Sequence, residues 1–224
     1  GKTPLSLLIA EELKALGKKP VIVKKFYKDH GDEHLLIKKR GVPLILEKDR
    51  SNSLKLAEKE FDLAILDDGF QDYKIIKDLN VLCFHSKQLI GNGLILPSGP
   101  LREPLSAIKK VQIVVINGEK NLIFEDKLKK INSKISIFYS KYKLLDQKDL
   151  NNKKILAFAG IGNPENFFDL LVENGLNVKK TISFPDHYDF KKDEILEIIE
   201  KAKKLNYTVL TTEKDCLRIK NFNF

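Results

Sequence analysis

Short apolar runs and charged amphipathic stretches alternate from one end of the chain to the other. The runs "PVIVKK" (20–25), "VPLILE" (42–47), "FDLAILDD" (61–68), "NVLCFH" (80–85) and "VQIVVIN" (111–117) are nearly continuous and rich in β-branched residues. That pattern predicts strands covered on both faces. Helices are expected between them at 4–16, 33–40, 51–60 and roughly 102–110. Leu5, Leu8, Ile9, Leu13 and Leu16 recur at helical spacing, and Gly17 supplies a stop. After a polar stretch, "LLDQKDLNNKK" (144–154), the alternation resumes. It gives a strand "ILAFAGI", a helix from about Pro164 to Gly175, a strand "VKKTISF", a helix over 191–205 and a strand "YTVLTT". The expected fold is α/β, a mostly parallel sheet flanked by helices, with a second, smaller α/β domain. The domains are expected at 1–147 and 148–224.

Composition narrows this picture. With 224 residues, 42% hydrophobic and 32% charged, the chain carries enough apolar side chains for real cores and lacks the profile of a disordered one. The longest apolar stretches, "LSLLIA" and "VQIVVI", are too short to span a bilayer. Cys83 and Cys216 have no metal or redox spacing and read as ordinary reduced thiols. The net charge of +9 is spread over the whole chain, without a basic arm or aromatic-rich motif, which argues against nucleic acid. It leaves anionic lipid, a phosphorylated substrate, or simply a lysine-rich genome. Methionine is absent, so the chain is expected to be a processed or trimmed piece of a longer product.

Five stretches carry candidate chemistry. "GKTP" opens a helix, as the end of a phosphate-binding loop does: the helix N-terminus and Lys2 would face phosphate oxygens and the Thr3 hydroxyl would face Mg²⁺. In "LAILDDGFQ", Asp67 and Asp68 end an apolar strand, where a metal-binding carboxylate belongs; a solvated turn is the plain alternative. "HGDEHLL" places Asp32 at a helix start, either as a cap or as the carboxylate that takes a proton from a substrate hydroxyl. His187 of "FPDHYDF" is either a turn histidine or the partner of a carboxylate. In the Gly/Pro-rich "GNGLILPSGPLREP" (91–104), Arg102 would grip a phosphate or pair with Glu103.

Taken in order, "GKTP", "GDEHLL", "ILDDGFQDYKI", "GNGLILPSGPLREPL", "FAGIGNPENFF", "FPDHYDF" and "TTEKD" resemble the tetraacyldisaccharide 4′-kinase family of P-loop NTPases. The resemblance implies ATP and Mg²⁺ as cofactors and phosphoryl transfer to the 4′-hydroxyl of tetraacyldisaccharide 1-phosphate, a lipid A precursor. It implies work at the inner-membrane surface, on its cytoplasmic face in a Gram-negative cell, with no nucleic acid and no obligate protein partner. By motif, Gly1, Lys2, Thr3, Asp68 and Arg102 would hold the nucleotide, and Thr3, Asp67 and Asp68 the metal. Lys2 would also act in catalysis with Asp32, the general base, and His187, which would pair with Asp32 across the two domains so that closure expels water.

The chain departs from the family pattern in several places. The upstream loop glycines, a Ser-Arg-Gly-Tyr stretch before Gly-Asp-Glu, the apolar N-terminal segment and a stretch after "KNFNF" are missing, and Asp72 stands where histidine is usual. Trimming is the expected reason. Two other readings remain: a GTPase-like switch, from "TTEKD", whose lysine sits one place late, and a non-catalytic lipid- or nucleic-acid-binding module.

Overall fold

A computed structural model of the chain describes residues 2–27, 31–144 and 147–222. They form two units, Gly1–Lys25 with Val42–Tyr142, and Phe26–Gly41 with Lys143–Phe224.

The chain enters the first unit with α1 (Lys2–Ala15) and β1 (Pro20–Lys25), leaves it for α2 (Gly31–Lys39), and returns with β2 (Leu44–Glu47), α3 (Arg50–Ala57) and β3 (Leu63–Leu66). β4 (Val81–His85), a 3-10 helix (Leu105–Lys110), β5 (Ile113–Asn117), α4 (Leu122–Ile131) and β6 (Ser136–Ser140) complete it. Its strands form two parallel sheets, ordered β2-β1-β3 and β4-β5-β6. Val21, Ile22 and Val23 of β1 are fully buried, as a continuous apolar run in a two-faced parallel sheet requires. Asp49 caps α3 by accepting the Ser51 N–H at 2.9 Å, which settles Leu54 and Ala57 against Val21 and Val23. In the other sheet Val114 and Ile116 pack with Ile108 and with Phe124 and Leu128 of α4.

The second unit holds α2, β7 (Lys154–Ala159), α5 (Pro164–Glu173), β8 (Asn177–Ser183), α6 (Lys192–Lys204), β9 (Thr208–Thr211) and α7 (Glu213–Ile219). β7 is the middle strand of the parallel sheet β8-β7-β9. Its alternate residues serve two cores: Ile155, Ala157 and Ala159 meet Phe168 and Leu171 of α5, whereas Leu156 and Phe158 meet Ile195 and Ile198 of α6.

The α/β class and the parallel pairing match expectation, with differences of physical interest: the first unit has two three-stranded sheets where one was expected. Residues 26–41 pack with the second unit rather than the first, so Asp32 and His187 share one unit instead of standing on different domains. The reason is charge: α2 buries Asp32, and the cations that compensate it sit on α7. The helix expected at 102–110 is a six-residue 3-10 turn that starts only after Pro104. Strand β3 stops at Leu66, leaving Asp67 and Asp68 in the turn beyond it. Helices α4 and α7 and strand β6 were not foreseen. Among the described residues no helix is long and apolar enough to cross a membrane.

Phe158 is 1% exposed and meets the rings of Phe184 and Phe190 edge-on. Phe158→Ala is expected to destabilise the second unit by about 3–5 kcal/mol in urea unfolding, the usual cost of deleting a core aromatic.

Candidate active site

At the C-terminal end of β3 two aspartates do different work. Asp67 is 1% exposed, and three side chains converge on it. Thr3 Oγ1 donates to Oδ2 at 2.9 Å, Ser6 Oγ to Oδ1 at 3.3 Å, and Lys24 Nζ to Oδ2 at 2.7 Å. Thr3 and Ser6 come from the first turns of α1, and Lys24 comes from the neighbouring strand β1. A buried carboxylate needs such partners, because desolvation without them costs several kcal/mol.

Asp68 points to a wetter place. Its backbone is left-handed (φ 57°), a region aspartate tolerates better than most residues, and Gly69 follows because a Cβ there would come within 2.5 Å of Leu66 Cβ. Lys2 Nζ lies 2.5 Å from Oδ1, and Arg102 Nη1 lies 3.0 and 3.1 Å from the two oxygens. Burial works to raise the Asp68 pKa, but Lys2 and then Arg102 outweigh it and bring the group from 3.8 down to about 2. Arg50, itself buried, donates to the carbonyls of both Asp67 and Asp68, at 3.0 and 2.9 Å, and so fixes the turn. Asp72 lies 3.6 Å from Arg50, so a carboxylate at this position balances a buried guanidinium.

A cavity of about 970 Å³ in the first unit reaches Lys2, Asp68 and Arg102, and apolar side chains such as Leu5, Ile9, Leu82 and Phe84 line the rest. That size suits a nucleotide-class ligand. The donors gathered at its charged end are a hydroxyl and carboxylates, the hard oxygens that Mg²⁺ prefers. Among the described residues no three His, Cys, Asp or Glu side chains gather as a metal cage. Mg²⁺ commonly uses one or two carboxylates plus phosphate and water, so the set fits that ion.

The second unit carries its own cluster. Asp32 lies in the first turn of α2, with its side chain 4% exposed. Arg218 of α7 donates to its Oδ2 through Nε at 2.8 Å and through Nη2, while Lys214 Nζ stands 3.4 Å away and His187 Nδ1 3.6 Å away. Burial pushes the Asp32 carboxyl up, but the Lys214 charge and the Arg218 hydrogen bonds prevail and hold it below its ordinary range. His187 sits in the loop after β8 with φ 57°, its own N–H bonded to Asp186 Oδ1 at 3.0 Å. The flanking Phe184, Tyr188 and Phe190 pack on one another at 4.9–5.3 Å between ring centres and anchor that loop.

Thus Lys2, Thr3, Asp67, Asp68 and Arg102 meet in the first unit, and Asp32 and His187 meet in the second; Gly1 lies outside the described residues. Sequence reasoning missed Lys24, Arg50, Lys214 and Arg218. A lysine ending an otherwise apolar strand was the available sign for Lys24, and a cationic pair spaced i, i+4 after a Thr cap was the sign for α7.

A lysine and a threonine at a helix start, set on an aspartate pair beyond a parallel strand, define a phosphate-binding α/β protein of the P-loop class. Comparison with known proteins narrows this. The Tetraacyldisaccharide-1-P 4'-kinase family, LpxK, matches residues 1–224. The tetraacyldisaccharide 4'-kinase of Pelagibacter ubique is 41% identical over 227 residues, covering 100% of this chain and 72% of the relative. That of Haemophilus influenzae is 31% identical, covering 99% and 70%. A crystal structure of LpxK from Aquifex aeolicus in complex with ATP superposes with a TM-score of 0.68 at 26% identity, over 99% of this chain and 76% of that one. The chain belongs to the tetraacyldisaccharide 4'-kinase family.

Two outcomes test the geometry. The Asp68 carboxyl should titrate near pH 2 by NMR, and Lys2→Ala should return it toward 3.8. Its folded pKa is depressed, so its stabilising contribution is complete above 3.8 and fades as pH falls through about 2. Lys24→Met should cost about 3–5 kcal/mol in chemical denaturation, because it strands the Asp67 charge in the interior.

Proposed function

We propose that the protein transfers the γ-phosphate of ATP to the 4′-hydroxyl of tetraacyldisaccharide 1-phosphate, a step of lipid A synthesis. The observation that carries this reading is the convergence of Lys2, Thr3 and Arg102 on the Asp67–Asp68 pair in a chain of this kinase family.

Phosphoryl transfer asks mainly for positioning and charge neutralisation. Lys2 and Arg102 are about half exposed and now spend their charge on Asp68, so both can turn to phosphate oxygens without leaving a deeply buried anion. Thr3 and Asp67 would hold Mg²⁺, with Asp68 beside them. Held there, the ion would supply positive charge to offset that of the phosphate being transferred. Asp32, kept ionised by Lys214 and Arg218, accepts the proton of the attacking hydroxyl. His187 stands beside it, with Nδ1 3.6 Å from Oδ2. Arg50 and Gly69 do no chemistry; they hold the aspartate turn in shape.

The GTPase-like reading is disfavoured by Asp215, which would have to read a guanine edge. It is fully buried and accepts from Gly160 N–H, Thr212 Oγ1 and Arg218 Nη1.

The reading extends to the cytoplasmic face of the inner membrane, where ATP and an acylated acceptor can meet. The net charge of +9 and the exposed Ile76, Leu94 and Leu96 support contact with an anionic lipid surface. Co-sedimentation with anionic vesicles in preference to zwitterionic ones is the expected result.

With ATP, Mg²⁺ and the disaccharide 1-phosphate, the product should carry a new 4′-phosphate, and GTP should replace ATP poorly. Asp32→Asn should lower kcat by about 10²–10⁴-fold while leaving ATP affinity within about twofold. Lys2→Ala should instead weaken both. Absence of product from the intact protein overturns the assignment.

A further inference from the structure

Helix α7 brings to the Asp32 cluster a guanidinium whose every hydrogen is spoken for. Arginine has five N–H donors in a rigid plane. For Arg218, Nε and Nη2 reach Asp32 Oδ2, Nη1 reaches Gly160 O at 2.8 Å and Asp215 Oδ1 at 2.9 Å, and Nη2 also reaches His187 Nδ1 at 3.3 Å. The side chain is 13% exposed and Asp215 is fully buried, so the fork is set firmly by its surroundings.

Two consequences follow from donor and acceptor rules. An N–H facing Nδ1 requires a lone pair there, which puts the hydrogen of a neutral imidazole on Nε2. Lys214 Nζ stands 3.5 Å from Nε2, but a neutral ring accepts at one nitrogen only, and the guanidinium contact is the shorter. Asp32 Oδ2, for its part, is surrounded by Arg218, Lys214 and His187, whereas Oδ1 accepts the Glu33 N–H at 2.8 Å and faces no side-chain cation within bonding distance among the described residues.

We propose that Arg218 is a positioning residue for phosphoryl transfer: it clamps Asp32 by Oδ2 so that Oδ1 takes the substrate proton, and it holds His187 as the Nε2–H tautomer. This rests on the reading of Asp32 as proton acceptor. Among the described residues, the charged groups around Asp32 are Glu33 on its own helix, Lys214 and Arg218 on α7, and Asp186 and His187 in the loop after β8. Lys214 divides its charge among Asp32, Glu33 and Asp186, at 3.4, 3.5 and 3.9 Å, so Arg218 is the more committed partner.

The experiment compares the full chain with Arg218→Lys and Arg218→Gln, and with Arg218→Gln/Asp215→Asn, which relieves the buried charge that a lone Gln substitution leaves behind. Initial rates are measured across pH with ATP, Mg²⁺ and the disaccharide 1-phosphate, and the His187 tautomer is read by ¹⁵N NMR without substrate. Removing the guanidinium should move the acid limb of kcat upward by about 1–3 pH units, since an adjacent Arg⁺ depresses a carboxylate by that much. The His187 spectrum should change from the Nε2–H form to a mixture. Arg218→Lys keeps the charge but not the fork, so it should shift the limb less while lowering kcat about 10–100-fold with the KM for ATP unchanged. An active wild type whose double variant is stable, with acid limb and tautomer both unmoved, overturns the role of Arg218 alone. A wild type that makes no product overturns the functional reading beneath it.

Discussion

A carboxylate as buried as Asp67, with 1% of its surface exposed, is tolerable only because Lys24 lies 2.7 Å away. Much of the first unit's chemistry is arranged around that pairing. It lets the turn after β3 run inward far enough for Thr3 and Ser6 to bond the same carboxylate, which fixes the start of α1. The turn in turn aims Asp68 away from the interior, where Lys2 and Arg102 can reach it. The two aspartates are adjacent in sequence and differ in setting: Asp67 is buried and neutralised from within by Lys24, whereas Asp68 is more accessible and neutralised by the half-exposed Lys2 and Arg102.

The second unit meets the same problem with different means. Asp32 is nearly as buried, but its cations arrive from a helix far along the chain, and one is a planar fork rather than a point charge. The difference suits the tasks. Asp67 is held by a point charge and two hydroxyls, whereas the proton acceptor proposed at Asp32 has to be both ionised and oriented. The fork of Arg218 on Oδ2 and the Glu33 N–H on Oδ1 meet both requirements.

How much of this the sequence carried depended on range. Strands such as 20–25 and 113–117 were legible because burial on both faces leaves a continuous apolar run. The residue types of both clusters were legible too, since Gly-Lys-Thr, Asp-Asp and Asp-His each have a recognisable chemical use. Partnerships were not. The Lys24–Asp67 and Asp32–Arg218 pairs span 43 and 186 residues, and nothing in a local pattern joins such distant charges. Helix α7 escaped notice because it has seven residues and buries mainly an aspartate, so it lacks an apolar stripe. The assignment of residues 26–41 to the second unit escaped for a related reason: α2 is placed by buried charge as much as by hydrophobic surface.

That excursion of residues 26–41 has a consequence for how the protein comes into being. On a ribosome Asp32 is made 186 residues before Arg218, so over that stretch of synthesis the carboxylate has no guanidinium to meet and stays hydrated. The first unit is likewise interrupted by a segment that cannot find its partners until α7 exists. Loop closure over such a span carries an entropic cost that grows slowly with length, and contacts so distant in sequence favour slower folding. The Asp32 cluster is therefore completed only once α7 has been made, and a chain lacking α7 carries the carboxylate without its guanidinium.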